Sequence, residues 1–297
     1  VPEGYEIVLG NGGASAFWDV ACACLIDSRA AFGSWGAFGA KFALEAEHAP
    51  HLRSPLIDEA EAGSLVTLAP RDASTGVASP VYRVDAPGAL TLVDGTSIAG
   101  AAPVDLTRVD AYYFSLQKAL GSDGGLWVAI LSPAAIERAR RIEAAPQGRW
   151  IPQFLSLSAA IDNSRKDQTL NTPAVATIIM AQRQVAWLNE RGGMDAVAAH
   201  CAQASSLVYD WAIAHPALYP FVAEEAWRSP VTATIEINAD VKACDLAAHL
   251  RAHGIVDIGA YRGVGANQLR IGTWPSVQIG DVEALLECID YCLERVL

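Results

Sequence analysis

The feature that most constrains the fold is a series of short, unbroken apolar runs in the first half of the chain. The clearest is Leu126–Leu131, which reads LWVAIL. Strands buried on both faces have such runs because neither face meets water, whereas strands with one solvent face alternate. The sequence therefore predicts a parallel or mixed sheet flanked by helices. The predicted strands are 6–9, 64–68, 89–93, 110–114 and 126–131.

Helix signals separate and follow these strands. Ser132-Pro133 is typical of an N-cap followed by the first helical position. Asn171-Thr172-Pro173 opens a long helix, and Gly192-Gly193 ends it. The helices predicted in this part of the chain are 15–26, 133–142 and 171–191.

The pattern changes after residue 193, where helices and strands alternate to the end of the chain. A length of 297 residues suits one large and one smaller domain. We therefore predict a large α/β domain, residues 1–193, and a smaller C-terminal α+β domain, residues 194–297. Its predicted elements are a first helix from residue 194 onward, the strands 231–237 and 268–272 and the helices 243–253 and 281–296.

Composition excludes several classes of protein. With 52% hydrophobic and 18% charged residues the chain is globular, and its net charge of −12 argues against a nucleic-acid partner. No apolar run reaches the roughly 18 residues that span a bilayer, so we expect no membrane association. The six cysteines lack zinc-ligand spacing, so no metal site is predicted, and reduced thiols point to the cytoplasm.

The first candidate for chemistry is Lys118, which follows a predicted strand and precedes a glycine-rich turn. A strand end fixes the lysine backbone while the side chain reaches into a cleft. Burial there lowers the pKa of the amine, as imine formation requires. Taken alone, a lysine in a loop is typically a surface residue.

Two further features are expected near Lys118. Asp94 ends an earlier strand, at the sheet edge where α/β folds bind ligands, and could keep the pyridine nitrogen of pyridoxal phosphate (PLP) protonated. A turn or N-cap role is the alternative for Asp94. The segment 10–15 joins a strand to a helix, and backbone N–H groups in such turns bind phosphate. The order phosphate turn, Asp, Lys is what PLP enzymes of fold type I require.

With these residues in place, the sequence resembles the phosphoserine aminotransferases, a group of class-V aminotransferases, and specifically their actinobacterial branch. The similarity extends over essentially all 297 residues. It implies a PLP enzyme of fold type I that transfers the amino group of glutamate to 3-phosphohydroxypyruvate. The segments that carry it are 9–14, 110–114, 117–118, 122–127, 171–174, 254–257, 261–262 and 267–270.

The resemblance implies a role for each matching residue near the cofactor. Lys118 would form the Schiff base, and Asp94 would face the ring nitrogen. Gly13 and Ala14 would hold the cofactor phosphate through backbone N–H groups, and Gln117 would hydrogen-bond the phosphate or its neighbours.

Further matches concern the cofactor ring, the neighbouring subunit and the substrate. Trp35 matches an aromatic residue that stacks on the cofactor, with core packing as the alternative. Asn171 and Thr172 match a pair that reaches the phosphate from the neighbouring subunit, which implies a homodimer. Arg270 matches the residue that binds the substrate α-carboxylate, and Arg262 matches a basic residue near its phosphate or distal carboxylate.

The sequence departs from the family pattern in two places. Ala73 stands where the family has a Thr whose hydroxyl contacts the phenolic oxygen of the cofactor, and Ser74 could replace it after a small backbone shift. The family also has an N-terminal segment with a His-Arg pair for the distal anion of the substrate. We expect this chain to begin inside a longer protein, after that segment.

Other functions stay open at this point. Another class-V enzyme, such as a serine–pyruvate type aminotransferase, fits most of the same residues. A cysteine desulfurase needs a catalytic Cys in a mobile loop, whereas the cysteines here lie in helical patterns. A truncated, non-catalytic paralogue that acts as a dimerisation or binding module is motivated by Ala73 and the absent segment. A nicotinamide-dependent dehydrogenase would need the G-x-G-x-x-G fingerprint, which the glycine-rich turn does not match.

Overall fold

The computed structural model describes residues 1–33, 36–52, 56–57, 61–68, 71–72, 74–238, 240–261 and 267–295. The chain divides into two compact units. The first unit comprises Val1–Pro70, Pro80–Ala99 and Val104–Val185, and the second comprises Arg71–Ser79, Gly100–Pro103 and Ala186–Leu297. The domain boundary predicted at residues 193 and 194 stays a prediction.

The described residues form twelve strands and eight α-helices. The strands are β1 (Glu6–Asn11), β2 (Ala30–Gly33), β3 (Leu56–Ile57), β4 (Leu65–Leu68), β5 (Arg71–Asp72), β6 (Val77–Ala78), β7 (Leu90–Asp94), β8 (Ala111–Ser115), β9 (Leu126–Leu131), β10 (Leu218–Pro220), β11 (Thr232–Ile237) and β12 (Gln268–Gly272). The helices are α1 (Ala14–Cys24), α2 (Ala37–His48), α3 (Pro133–Ala144), α4 (Leu157–Ser164), α5 (Val175–Glu190), α6 (Gly193–Ala214), α7 (Ala243–Ala252) and α8 (Ile279–Arg295). Among the described residues, no helix is both long and apolar enough to cross a membrane.

A seven-stranded sheet in the order β1-β9-β8-β7-β4-β2-β3 forms the centre of the first unit. The pairs β2–β3, β2–β4, β4–β7 and β7–β8 are parallel, while β1–β9 and β8–β9 are antiparallel. The prediction of an α/β fold with a mostly parallel sheet is confirmed. Strand β9 has a partner on each side and is almost wholly buried, which explains why its sequence does not alternate.

Helix α1 packs on this sheet and buries seven of its eleven residues. Its C-terminal end is held by Arg149, whose guanidinium donates to the carbonyl oxygens of Ala23 (3.0 Å), Ile26 (2.9 Å) and Asp27 (2.7 Å). The last carbonyls of a helix have no partner within the helix, and Arg149 supplies a donor to that of Ala23 while it also holds the residues that follow α1. The positive charge also lies at the negative end of the helix dipole.

The second unit contains a three-stranded antiparallel sheet in the order β10-β11-β12. Helices α6, α7 and α8 bury their apolar residues against it, with Ile235 and Leu269 of the sheet and Leu246 and Ile289 of the helices fully enclosed or nearly so. The predicted α+β composition of the C-terminal part is therefore confirmed.

The structure also corrects details of the sequence prediction. Helix α5 begins at Val175, so Asn171 and Thr172 lie before it. The physical reason is Pro173, which disfavours helical backbone in the residue that precedes it. Helix α2 was not predicted, because it buries few residues (Gly39, Phe42 and Ala46) and its apolar periodicity is weak.

Candidate active site

Asp94 and Tyr113 lie side by side where two parallel strands end. Asp94 is the last residue of β7, and the register of β7 and β8 pairs it with Tyr113. The Tyr113 hydroxyl donates to Asp94 Oδ2 at 3.0 Å, and the backbone N–H of Thr96 donates to Oδ1 at 2.9 Å. Trp18 of α1 donates its indole N–H to the Tyr113 oxygen at 2.8 Å. Both carboxylate oxygens of Asp94 therefore have fixed donors.

Lys118 lies in the loop that follows β8. Its Nζ donates to the Ser97 hydroxyl at 2.9 Å and lies 5.1 Å from the centre of the Phe38 ring. Ser97 belongs to the turn that begins at Asp94, and the charges of Lys118 and Asp94 interact. The structure thus brings the predicted lysine and the predicted carboxylate to the same edge of the sheet.

The lysine loop is held in place by its own backbone and by the start of α5. Gly121 N–H donates to the Lys118 carbonyl at 2.8 Å, and Ser122 N–H donates to that of Leu116 at 3.0 Å. The Ser122 hydroxyl donates to the carbonyl oxygen of Thr177 on α5 at 2.7 Å. The position of Lys118 is therefore set by several hydrogen bonds on both sides of it.

The glycine-rich turn lies between β1 and α1. Gly12 has a φ of +104°, and a Cβ there would come within 2.7 Å of the Ala16 Cβ, so the turn requires glycine. Its N–H donates to the carbonyl oxygen of Gly125 at 2.9 Å, which joins the turn to the end of the lysine loop. The N-cap of α1 is Gly13, which provides no side-chain cap.

The first turn of α1 is ready to bind an anion. Within the described part of the chain, the N–H groups of Gly13 and Ala14 donate no hydrogen bond. These groups and the positive end of the helix dipole together favour a phosphate or carboxylate.

The electrostatics of Asp94 reflect opposing effects. Burial raises the pKa of Asp94, while Thr96, the charge of Lys118 and the Tyr113 hydroxyl oppose the rise. Burial and the neighbouring Asp94 hold the pKa of Tyr113 well above its usual value, so that its hydroxyl keeps its proton and donates it. The Thr96 hydroxyl is buried and lies beside Asp94.

Three other predicted residues of the first unit are exposed. Gln117 precedes Lys118 and points to solvent. Asn171 and Thr172 are exposed as well, although the backbone N–H of Asn171 donates to Asn11 Oδ1 at 3.2 Å. The contacts predicted for Gln117, Asn171 and Thr172 stay predictions.

The remaining predicted residues lie in the second unit or outside the described residues. Ser74 is 2% exposed and follows β5. Arg270 lies on β12, and its guanidinium is 5.1 Å from the centre of the Tyr261 ring. Both belong to the second unit, and their predicted roles stay predictions. Trp35, Ala73 and Arg262 lie outside the described residues.

Sequence reasoning missed four residues that contact the predicted pair or its partners: Tyr113, Trp18, Ser97 and Phe38. A signal was present for Tyr113, because a tyrosine inside a strand buried on both faces must find a partner for its hydroxyl. Nothing in the sequence identified Asp94 as that partner.

One edge of the sheet therefore combines an amine, a carboxylate and a helix N-terminus with unused N–H groups. A positioned amine can act as a nucleophile or accept a proton. The helix N-terminus can bind the phosphate of a ligand whose reactive part reaches the amine and the carboxylate.

Comparison with known proteins gives consistent matches. A profile of the family described as aminotransferase class-V matches residues 54–260. A phosphoserine aminotransferase from Corynebacterium glutamicum (strain R) is 45% identical over 306 aligned residues, which cover 99% of this chain and 81% of that protein.

Two solved structures share the fold. A crystal structure of a phosphoserine aminotransferase from Cytophaga hutchinsonii has a TM-score of 0.86 and 20% identity, and covers 100% of this chain and 84% of its own. A crystal structure of PLP-bound phosphoserine aminotransferase from Trichomonas vaginalis has a TM-score of 0.81 and 18% identity, and covers 98% and 83%. At such identities the likeness concerns the fold alone.

Proposed function

The chain belongs to the class-V aminotransferase family, as the resemblance predicted, and we propose that it acts as a phosphoserine aminotransferase. The proposed reaction transfers the amino group of L-glutamate to 3-phosphohydroxypyruvate and yields O-phospho-L-serine and 2-oxoglutarate, a step of L-serine biosynthesis. The 45% identity to the Corynebacterium glutamicum enzyme over almost the whole chain supports it. The structural observation that supports it is the position of Lys118 at the turn that begins at Asp94: its Nζ hydrogen-bonds Ser97 in this turn, and its charge interacts with Asp94.

The residues present fit PLP as the cofactor. The unused N–H groups of Gly13 and Ala14 suit its phosphate, and Asp94 suits its ring nitrogen. Lys118 provides the amine for covalent attachment.

The residues have distinct tasks in the proposed mechanism. When bound, PLP supplies an aldehyde that condenses with amines and a ring that draws electrons from the substrate α-carbon. Lys118 Nζ would hold the cofactor covalently, and as a free amine it would accept the proton of the substrate α-carbon. Ser97 accepts a hydrogen bond from Nζ and would keep the free amine in position. The ionised Asp94 would face the ring nitrogen and keep it protonated.

Recognition of the substrate and the cofactor ring involves residues beyond this edge. We assign Arg270 to the α-carboxylate and Arg262 to the phosphate or distal carboxylate, because a guanidinium binds either anion through two parallel hydrogen bonds. Trp35 is assigned to stacking on the cofactor ring, Ser74 to its phenolic oxygen and Gln117 to its phosphate. The family pattern supports these five assignments.

The role of Lys118 can be tested by trapping the cofactor. Borohydride reduction of the protein with PLP should add the mass of one reduced pyridoxyl phosphate, and peptide mapping should locate it at Lys118. Lys118→Ala should abolish the addition. Lys41→Ala is a matched control, because Lys41 Nζ lies 5.4 Å from the centre of the same Phe38 ring. An adduct that persists in Lys118→Ala, or disappears in Lys41→Ala, would contradict the assignment.

The substrate can be tested by half-reactions. After single-turnover reaction with glutamate, the enzyme is mixed with 3-phosphohydroxypyruvate or with pyruvate. We expect the phosphorylated acceptor to react at least about tenfold faster at equal low concentration, the usual effect of a hydrogen bond to a charged group. Equal rates would favour the serine–pyruvate type of aminotransferase. PLP binding without any amino transfer would favour a non-catalytic paralogue.

A homodimer with a shared cofactor site is also proposed. Helix α5 exposes a row of apolar side chains that a monomer would leave in water: Val175 (55% exposed), Ile178 (37%), Ile179 (51%), Met180 (38%) and Val185 (45%). Such a patch is typical of a surface covered by a partner. Asn171 and Thr172 immediately precede this helix, where they could enter the site of a second copy.

Subunit mixing tests the shared site. Lys118→Ala and the double variant Asn171→Ala/Thr172→Ala should each be nearly inactive alone. After they are mixed through unfolding and refolding, about a quarter of the wild-type activity should return, because half of the dimers are mixed and each has one intact site. Activity that stays at the level of the separate variants would refute sharing, and a monomer in sedimentation experiments would refute the dimer.

We also propose that the protein acts in the cytoplasm. All six cysteines are free thiols. Chains in oxidising compartments commonly pair their cysteines, so this supports a reducing environment. Fractionation of cells that make the protein at its natural level should recover it with the cytoplasmic enzymes.

A further inference from the structure

Three side chains from different elements form a hydrogen-bonded chain that ends at Asp94. Trp18 of α1 donates to Tyr113 of β8 at 2.8 Å, and Tyr113 donates to Asp94 of β7 at 3.0 Å. Tyr113 is 0% exposed and stacks on Phe17, with 4.6 Å between ring centres. Trp18 is 6% exposed and stacks on Phe42 at 5.6 Å. Neither ring has room to turn away from its partner.

The chemistry of the groups determines which of them donates in each of these hydrogen bonds. An indole N–H can only donate, so the Tyr113 oxygen accepts from Trp18 and its single proton goes to Asp94 Oδ2. The backbone N–H of Thr96 can likewise only donate, and it takes Oδ1. Both of these donors form stronger hydrogen bonds with a carboxylate than with a neutral carboxyl group. The arrangement therefore favours the ionised form of Asp94.

We propose that Tyr113, oriented by Trp18, is a positioning residue that keeps Asp94 ionised and aimed at the cofactor ring nitrogen. This inference rests on the proposed function and adds two residues to it. The hydrogen bond from Tyr113 is needed because burial alone favours the neutral form of a carboxylic acid. A neutral carboxyl group cannot keep the cofactor ring nitrogen protonated. Among the described residues, the charge of Lys118 acts on Asp94, Cys22 acts on Tyr113, and Asp19, next to Trp18 in sequence, acts on Cys22.

The variant Tyr113→Phe removes the donor and keeps the ring. We expect it to weaken PLP binding by about tenfold or more, the usual effect of losing a hydrogen bond to a charged group. A PLP analogue with carbon in place of the ring nitrogen should bind the wild type and Tyr113→Phe equally. With ¹⁵N-labelled PLP, the ring nitrogen signal should move toward the neutral pyridine position in Tyr113→Phe. Trp18→Phe should have a smaller effect, because the Tyr113 hydroxyl still donates.

Two comparisons separate positioning from simple loss of packing. Tyr209→Phe removes another buried tyrosine hydroxyl, in the second unit, and should leave the ring nitrogen signal unchanged. If Tyr113→Phe weakens PLP and the carbon analogue equally, or leaves the nitrogen signal where it is in the wild type, the inference is wrong. If the wild type does not bind PLP, the proposed function fails as well, which distinguishes the two failures.

Discussion

Replacing Asp110 by Asn tests how β8, the strand that leads to Lys118, is held at its opposite end. Asp110 immediately precedes β8 and is 1% exposed. Its Oδ1 accepts from the Ser132 hydroxyl and from Arg83, each at 2.9 Å, and its Oδ2 accepts from the Thr91 N–H at 2.9 Å. One carboxylate thus joins β7, the start of β8 and the end of β9, the strands next to the site.

An amide cannot satisfy these three donors. With its oxygen toward Ser132 and Arg83, its NH₂ faces the Thr91 N–H. With the amide reversed, its NH₂ faces a cation and a hydroxyl, and that hydroxyl already accepts from the Ala135 N–H at 3.2 Å. Each orientation leaves at least one buried donor unpaired, at about 1–3 kcal/mol, besides the loss of a charged acceptor. Since Arg83 is 48% exposed and can be hydrated, we expect a total loss of about 2–4 kcal/mol.

The assay compares two identical substitutions. Asp162→Asn breaks the pair with Arg140 on the surface, where the two side chains are 51% and 36% exposed, and should cost less than about 1 kcal/mol. Urea unfolding gives the free energies, and hydrogen exchange of peptides from β7 and β9 shows whether the loss is local to the first unit. If Asp110→Asn is no more destabilising than Asp162→Asn, the argument from donor conflict is refuted.

Three further outcomes are expected. Arg149→Met should lower the free energy of unfolding by about 2 kcal/mol, because it removes charged hydrogen bonds at the end of α1. Arg141→Met on the surface should change this free energy little in the same urea titration. The hydrogen bond from Arg165 lowers the pKa of Glu6. Glu6 therefore stabilises the fold at pH values above its unfolded-state pKa, and this stabilisation is lost as the pH falls through the lowered pKa of the folded state. Glu6→Gln should weaken the fold slightly at neutral pH and not in acid. Burial raises the pKa of Cys22 to about 12, so iodoacetamide at mildly alkaline pH should label it only after unfolding, as mass spectrometry would show.

The sheet was predictable from the sequence, and so was the placement of Lys118 and Asp94 at one edge of it; the roles of these two residues stay predictions. The predicted strand 126–131 coincides with β9, and the other four predicted strands of the first unit each overlap an observed one. A strand that is buried on both faces has an unbroken apolar sequence, and such a strand can be recognised without knowledge of the tertiary structure. Adjacent parallel strands end at the same edge of a sheet, so Asp94, at the end of β7, and Lys118, three residues after the end of β8, are expected at that edge.

What escaped prediction depends on contacts between distant parts of the chain. Trp18 and Tyr113 are 95 residues apart in sequence and meet because α1 packs on β8. Ser97 gives no signal of its own, because a serine in a turn has many ordinary uses. The start of α5 was misplaced because the N-cap pattern at Asn171 and Thr172 outweighed the restriction imposed by Pro173.

Helix α1 is held at three places along its length. The Gly12 N–H bonds the Gly125 carbonyl just before the helix begins, Trp18 bonds Tyr113 in the middle, and Arg149 holds the far end. A helix fixed at both ends and in the middle has little freedom to slide along its axis or to rotate about it. A phosphate bound at the first turn would find the N–H vectors already aligned, and its binding would avoid the entropic cost of ordering them. Beyond the first turn, the amide hydrogens of α1 should accordingly exchange as slowly before the ligand arrives as afterwards.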